Sequence, residues 1–240
     1  MAAAQNRLIA LLPPAERTRL LALCEPVQLT LSQVLCEQGD TTSHVYFPVD
    51  SFISLVTDLD RHPGMEVGMI GREGLLGEHL ALGQATAPLR ALVQGPGAAW
   101  RLSARHFADE LRGGGALRLL VDRYLYVRLA QLAATAACLR FHLIGPRLAR
   151  WLLMSQDRAQ ADRFRVTHEF LGYMLGVRRV GVTVAAGQLQ QAGLITYHRG
   201  EMTVCDRAGL EAASCSCYAA DIKRYDASLG RSARQLQLVA

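Results

Sequence analysis

Between Thr167 and Ile195 the apolar positions fall into two short blocks at helical spacing. Leu171, Met174 and Leu175 make an i, i+3, i+4 stripe, which predicts a first short helix. Thr167 reads as its N-cap, although no Glu or Gln stands three residues later to complete a capping box. Gly176 stands where that helix must stop and turn, because glycine takes positive φ at little cost. Val182, Ala185, Ala186 and Leu189 form a second stripe, and Arg178 and Arg179 open the helix that carries it. Beyond it, Leu194–Tyr197 and Met202–Cys205 are short β-prone runs around His198-Arg199-Gly200-Glu201, a glycine-containing hairpin turn. Two helices, a tight turn and a following hairpin describe a winged helix-turn-helix, whose second helix enters a DNA major groove. An ordinary αα-hairpin in a helical core gives the same stripes, so the pattern leaves both readings open.

Upstream, the period changes to two. Val27–Leu31, Val34–Cys36, His44–Phe47, Phe52–Thr57, Met65–Ile70, Leu89–Gln94 and Ala98–Leu102 are predicted strands at the spacing of a small barrel or sandwich. Arg7–Leu12 and Ala15–Leu23 ahead of them are predicted helices broken at Pro13 and Pro14. Ala116–Phe141 is the longest helical candidate, free of Gly and Pro over 26 residues. Its apolar coverage exceeds one stripe, as expected of a helix packed on its own domain and on a second copy of itself. Leu117, Leu120, Val121, Tyr124, Val127 and Leu132 are the expected dimerisation residues. Gly145-Pro146 is expected to close this helix and mark a boundary. The resulting expectation is an α+β chain: a β-barrel sensor-like domain over 1–115, a central dimerisation helix and hinge over 116–145, and a winged helix-turn-helix over 146–240.

Charge adds weight to the C-terminal end. Residues 139–240 carry 14 Lys and Arg against 8 Asp and Glu, while residues 1–138 carry 12 against 13. A basic half joined to a near-neutral half suits a nucleic-acid-binding domain attached to another module. Of the eight expected DNA-facing residues, Thr167, His168, Arg178, Arg179, Val180 and Thr183 lie on the two helices, and His198 and Arg199 form the wing tip. The tip residues would meet phosphate, which supplies affinity without sequence information. No apolar run is long enough to span a bilayer, and Met1–Ala10 lacks a secretory pattern, so a cytoplasmic chain is expected. The six cysteines show no disulfide framework and no repeated CxxC pair. Cys215-Ser216-Cys217 is the one local thiol pair; it lacks neighbouring ligands in sequence, and structural thiols are the favoured reading over a soft-metal or redox role.

An N-terminal barrel with the turn Glu37-Gln38-Gly39-Asp40, a long central helix and a C-terminal winged helix-turn-helix resembles the CRP/FNR superfamily of bacterial transcription regulators. The likeness covers nearly the whole chain. It is closest over Thr167–Ile195, where Thr167, Gly172, Gly176, Arg179, Val182 and Leu189 fall on matching family residues without a gap. The resemblance implies a homodimer whose sensor domain governs binding to double-stranded DNA, with RNA polymerase as a further partner.

The family reads bases mainly through an Arg-Glu pair and a second Arg one turn on. Arg179 matches the first Arg, but Val180 stands in place of the Glu and Val184 in place of the second Arg. Arg178 replaces a small polar residue. One guanine reader therefore remains, with Arg178 as a second contact and Val180 open to either a thymine methyl or no role. Cyclic-AMP-binding members use Gly-Glu-Leu and, about ten residues later, adjacent Arg and Ser. Here Gly77-Glu78-His79 keeps the Gly-Glu, Pro88 stands where the Arg belongs, and Arg90 is followed by Ala91. Gly77, Glu78, His79 and Arg90 are the candidate effector pocket, and cyclic AMP is not expected to be the effector. Cys24 and Cys36 cannot supply the thiolate set of an iron–sulfur member. His44, His62 and His79 are the available haem ligands, and neither haem, an iron–sulfur cluster nor a metal is expected.

The leading expectation is a dimeric, sequence-specific transcription regulator with an unknown effector. A second reading is a signal-binding module whose output is protein contact, its helix-turn-helix being degenerate. An enzyme is not expected: there is no Walker loop, dinucleotide fingerprint or HExxH motif. Ser103 and His106 lack a third partner, and Ser103 is better read as the cap of the helix that follows.

Overall fold

The computed structural model describes residues 6–59 and 62–230. Two short helices come first, α1 (Arg7–Leu11) and α2 (Pro14–Leu23). The buried Asn6 side chain caps α1 by accepting from Leu8 and Ile9, and donates to the carbonyls of Pro48 and Gly74. One amide group thus fixes α1 against the strands.

Seven strands follow: β1 (Glu25–Leu29), β2 (Val34–Cys36), β3 (His44–Pro48), β4 (Phe52–Leu59), β5 (His62–Ile70), β6 (Arg90–Gly95) and β7 (Gly97–Ser103). They pair antiparallel as two sheets, β1-β7-β3 and β2-β6-β4-β5. The barrel expected from strand spacing is therefore a two-sheet roll whose sheets are not closed on one another by hydrogen bonds. Alternation does the rest: Ala91 and Val93 of β6 turn inward to meet Ile53, Leu55, Ile70, Leu29 and Ala99 from both sheets.

Ser103 caps α3 (Ala104–Arg112) by accepting from the His106 amide, which accounts for that residue without catalysis. The long helix α4 (Ala116–Phe141) has the predicted bounds. Its expected dimer face is corrected by burial. Leu117, Leu120, Val121, Tyr124 and Val127 are all buried in a core with α1, α2, α3 and β3, and Leu132 is half-buried. The five buried side chains already have apolar neighbours within their own subunit, whereas Leu132 keeps part of its surface exposed. The outward stripe of α4 is instead Tyr126, Leu129, Ala133, Ala136 and Ala137, with Tyr126 62% and Leu129 68% exposed.

Only His142 and Leu143 separate α4 from α5 (Ile144–Ala159). Gly145-Pro146 lies in the first turn of α5, where proline is tolerated because the first helical N–H groups have no intrahelical partner. The C-terminal part continues with β8 (Arg163–Arg165), α6 (His168–Leu175), α7 (Arg179–Gln191), β9 (Ile195–His198), β10 (Glu201–Val204), α8 (Arg207–Ala213) and α9 (Cys217–Leu229). Phe52, Val56 and Met69 of the roll share one apolar cluster with α5, α6 and α7. Helix α9 runs back along α4, and its Tyr225 and Leu229 join the N-terminal core. The Tyr225 hydroxyl donates to the Glu73 carbonyl at 2.7 Å. No helix among the described residues is long and apolar enough to cross a membrane.

Candidate nucleic-acid interface

The two stripes read from sequence become the buried faces of α6 and α7. Leu171, Met174 and Leu175 face inward from α6, and Val182, Ala185, Ala186 and Leu189 from α7. Thr167 caps α6, its hydroxyl accepting from the Phe170 amide at 3.1 Å. Gly176 ends the helix at φ +63, a left-handed conformation that disfavours any side chain. Gly172 is needed for a different reason. A Cβ there would lie 2.9 Å from the carbonyl oxygen of Val177, so the turn could not close onto α6 as tightly.

With one face of α7 buried, its opposite face is left to solvent. Arg178 is the N-cap position, and Arg178, Arg179, Val180, Thr183 and Val184 are all exposed, Val180 at 73%. Neither arginine forms an ion pair among the described residues. The free N–H groups of the first helical turn add partial positive charge at the same end. This is an arrangement able to meet phosphate oxygens and the guanine edge.

His168 is placed between α7 and the wing. Its ring stacks on Tyr197 at 4.2 Å between centroids, and its Nδ1 lies 3.1 Å from Thr183 Oγ1. The Thr183 hydroxyl proton goes to the Arg179 carbonyl, so His168 Nδ1–H is the donor to Thr183. Burial, and then the Arg179 charge, lower the His168 pKa, which keeps the ring neutral near neutral pH. His168 thus acts first as a bracket that orients α7 against the hairpin, a role that sequence reading did not assign.

The wing is a two-residue hairpin. His198 pairs with Glu201, and Arg199 and Gly200 both take positive φ, as the type I′ turn requires. His198 and Arg199 are exposed at its tip, and Arg199 forms no ion pair among the described residues. Strand β8 has no counterpart among the elements predicted from sequence. It adds to β10 as a third strand and sets Arg163 and Arg165 beside the wing. Arg163 lies 3.7 Å from Glu201, whereas Arg165 forms no ion pair among the described residues. The alternation in Arg163-Phe164-Arg165 was the available signal.

The candidate effector residues do not converge. Glu78 opens a short 3-10 turn (Glu78–Leu82) and pairs with buried Arg128 of α4, Nε to Oε1 at 3.3 Å. Arg90 instead pairs with Glu37 at 3.2 Å. His79 meets the Thr42 hydroxyl at 2.8 Å, and Gly77 serves the turn at φ +99. The cation that answers Glu78 is thus Arg128, thirty-eight positions from Arg90 in sequence. The His62 side chain lies outside the described residues.

The six cysteines are free thiols, as expected, but the fold supplies Cys215 and Cys217 with neighbours that the local sequence lacks. Cys138 and His142, one turn apart on α4 and at its cap, meet Cys215 and Cys217 at the start of α9. A long-range approach of this kind leaves no local sequence signal apart from the Cys-x3-His and Cys-x-Cys spacings.

Comparisons with known proteins agree with this architecture. Residues 146–213 match the Crp-like helix-turn-helix domain family. No curated protein matches the chain by sequence. Among solved structures, the c-di-GMP-responsive global regulator CLP of Xanthomonas campestris aligns at 18% identity and TM-score 0.65, over 80% of this chain and 99% of that one. A transcriptional regulator of the CRP family from Thermus thermophilus aligns at 19% identity and TM-score 0.63, over 78% and 96%. FixK2 of Bradyrhizobium japonicum aligns at 15% identity and TM-score 0.61, over 80% and 98%. These likenesses concern the fold, while the helix-turn-helix match rests on sequence. Residues 146–213 thus belong by sequence to the Crp-like helix-turn-helix domain family, and the chain as a whole is similar in fold to these CRP/FNR-type structures.

Proposed function

We propose that the protein is a homodimeric regulator that reads a two-fold symmetric operator through α7, with an effector other than cyclic AMP. The observation that carries this reading is the state of α7: one face fully buried, the other open, with Arg178 and Arg179 at its N-terminal end free of ion pairs among the described residues. Arg179 is assigned a bidentate contact to guanine, and Arg178 and Arg199 are assigned to phosphate. Thr167 and Thr183 line the same surface, and Val180 offers its methyls to thymine. The usual family operator is not expected, because Val180 and Val184 replace polar readers.

Dimerisation is assigned to the Tyr126, Leu129, Ala133, Ala136 and Ala137 stripe of α4. Its small residues permit close helix approach, and Tyr126 and Leu129 leave apolar area to cover. The two α7 helices must then lie about 34 Å apart to enter successive major grooves. Functionally the chain divides into a sensor-like roll (1–115), the α4 helix with its hinge (116–145) and the reading domain (146–240). RNA polymerase is the further partner this reading implies.

The experiment is selection of bound sequences from a random DNA pool by the full chain at physiological salt, followed by binding of Arg179→Ala. A two-fold symmetric motif is expected, and the variant should lose roughly 1–3 kcal/mol with relaxed choice at one base pair per half-site. Unchanged affinity and selectivity in Arg179→Ala would show that α7 does not dock as proposed.

A further inference from the structure

The sulfur atoms of Cys138, Cys215 and Cys217 and a ring nitrogen of His142 all lie within 4.8 Å of one another. Cys138 Sγ is 3.6 Å from Cys215 Sγ, and Cys217 Sγ is 3.6 Å from His142 Nδ1. A tetrahedral zinc ion binds sulfur at about 2.3 Å and imidazole nitrogen at about 2.0–2.1 Å, which puts neighbouring ligand atoms roughly 3.5–3.8 Å apart. Both measured edges agree with that figure. They are far too long for a disulfide, whose sulfurs approach to about 2.05 Å. A polynuclear iron–sulfur cluster would need its ligands spread more widely than a single ion does.

Charge points the same way. Arg147 is buried, and its guanidinium donates to the neutral carbonyl of Leu175. A buried guanidinium without an anion is costly, so its surroundings should supply one. Arg147 and Cys138 line the same small cavity. Three thiolates around a divalent cation carry one net negative charge, which matches the single charge of Arg147. The neighbouring Arg150 is already paired with Asp221 of α9 at 2.7 Å.

We infer that Cys138, His142, Cys215 and Cys217 form a Cys3His site for one soft divalent ion, zinc in the first instance. On binding, the thiols still protonated release their protons to solvent, and no electron is transferred. Two ligands come from the end of α4 and two from the start of α9. All four, Cys138, His142, Cys215 and Cys217, lie outside the segment 146–213 that matches the helix-turn-helix family. The ion therefore staples the strap helix α9 to the long helix α4, at the two-residue link into the reading domain. Cys138 and Cys215 are buried, and all four protein ligands are supplied, so the site is closed and structural rather than catalytic. This inference does not depend on the proposed operator reading.

The test uses the full chain, purified under reducing conditions without a polyhistidine tag, with metal content measured by mass spectrometry. One zinc per chain is expected. Cys138→Ser and Cys217→Ser should weaken zinc binding by more than the roughly 10–100-fold that loss of an outer-shell partner costs, while Cys205→Ser, at an exposed thiol away from the site, should retain it. Cobalt(II) added to metal-free protein should give a tetrahedral, thiolate-rich visible spectrum. His142→Cys should keep that spectrum with added sulfur-to-cobalt charge transfer, a readout that holds even where the serine variants fail to fold. No bound metal together with an octahedral cobalt spectrum would overturn the site. So would a Cys138–Cys215 disulfide re-forming in freshly reduced protein in place of metal uptake, or iron with inorganic sulfide in place of zinc.

Discussion

Glu66 sits on β5 at the junction with α5, buried, and its removal from water pushes its carboxyl up to about 7 from the usual 4.5. Ser54, Arg158 and Arg150 act in the opposite direction but are outweighed. Ser54 Oγ lies 2.6 Å from Glu66 Oε2 and also contacts Gln94 Oε1, yet a hydroxyl has one proton to give. Towards a charged Glu66 the Ser54 hydroxyl donates to Oε2; a protonated Glu66 can donate to Ser54 instead, which frees the Ser54 proton for Gln94. Because the folded chain holds the Glu66 proton more tightly than the unfolded one, the associated stability is complete below pH 4.5. It is lost as pH rises from there through about 7. At about 1.4 kcal/mol per tenfold, the upper bound is roughly 3 kcal/mol.

Glu66→Gln keeps the donor and removes the titration. It should match the parent near pH 5 and exceed it near pH 8 by up to roughly 3 kcal/mol, which for a chain of this size is about 6–12 °C in Tm. Thermal unfolding of both proteins across that pH range measures the difference directly. A difference that stays constant with pH would refute the argument that Glu66 is held neutral.

Three further outcomes are expected. Arg199→Ala at the wing tip should weaken DNA binding about equally for all sequences and lower the salt slope by about 1, checked by titrations at several salt concentrations. Gly172→Ala should push the turn away from α6, costing roughly 1–3 kcal/mol and operator affinity together, as seen by thermal unfolding and DNA titration. Leu129→Asp should yield a folded monomer by light scattering, whereas the buried Leu120→Asp should unfold the N-terminal core.

The readable parts of this chain were those governed by local periodicity. The bounds of α4, the strand Val34–Cys36 and the two stripes of the helix-turn-helix follow from spacing, because a repeat of 3.6 or 2 forces side chains onto one face. Helix α5 and strand β8 were not legible. The buried face of α5 includes Arg147, Arg150 and Arg158, which a reading by hydropathy places on the surface. Strand β8 has three residues and gains stability only from pairing with β10.

Sequence alone also determined that α4 has more apolar surface than one stripe, that glycine must end α6, and that arginines open α7. It did not determine which apolar residues of α4 face inward. Leu117, Leu120 and Tyr124 are buried because α1, α2 and α9 converge on them, leaving Tyr126 and Leu129 outside. Nor did it pair Glu78 with Arg128, or bring Cys138 and His142 to Cys215 and Cys217, some seventy-seven positions away. Those thiol partnerships depend on the return of α9 along α4. Periodicity reports how a helix is amphipathic, but only packing chooses which residues from distant segments share one site.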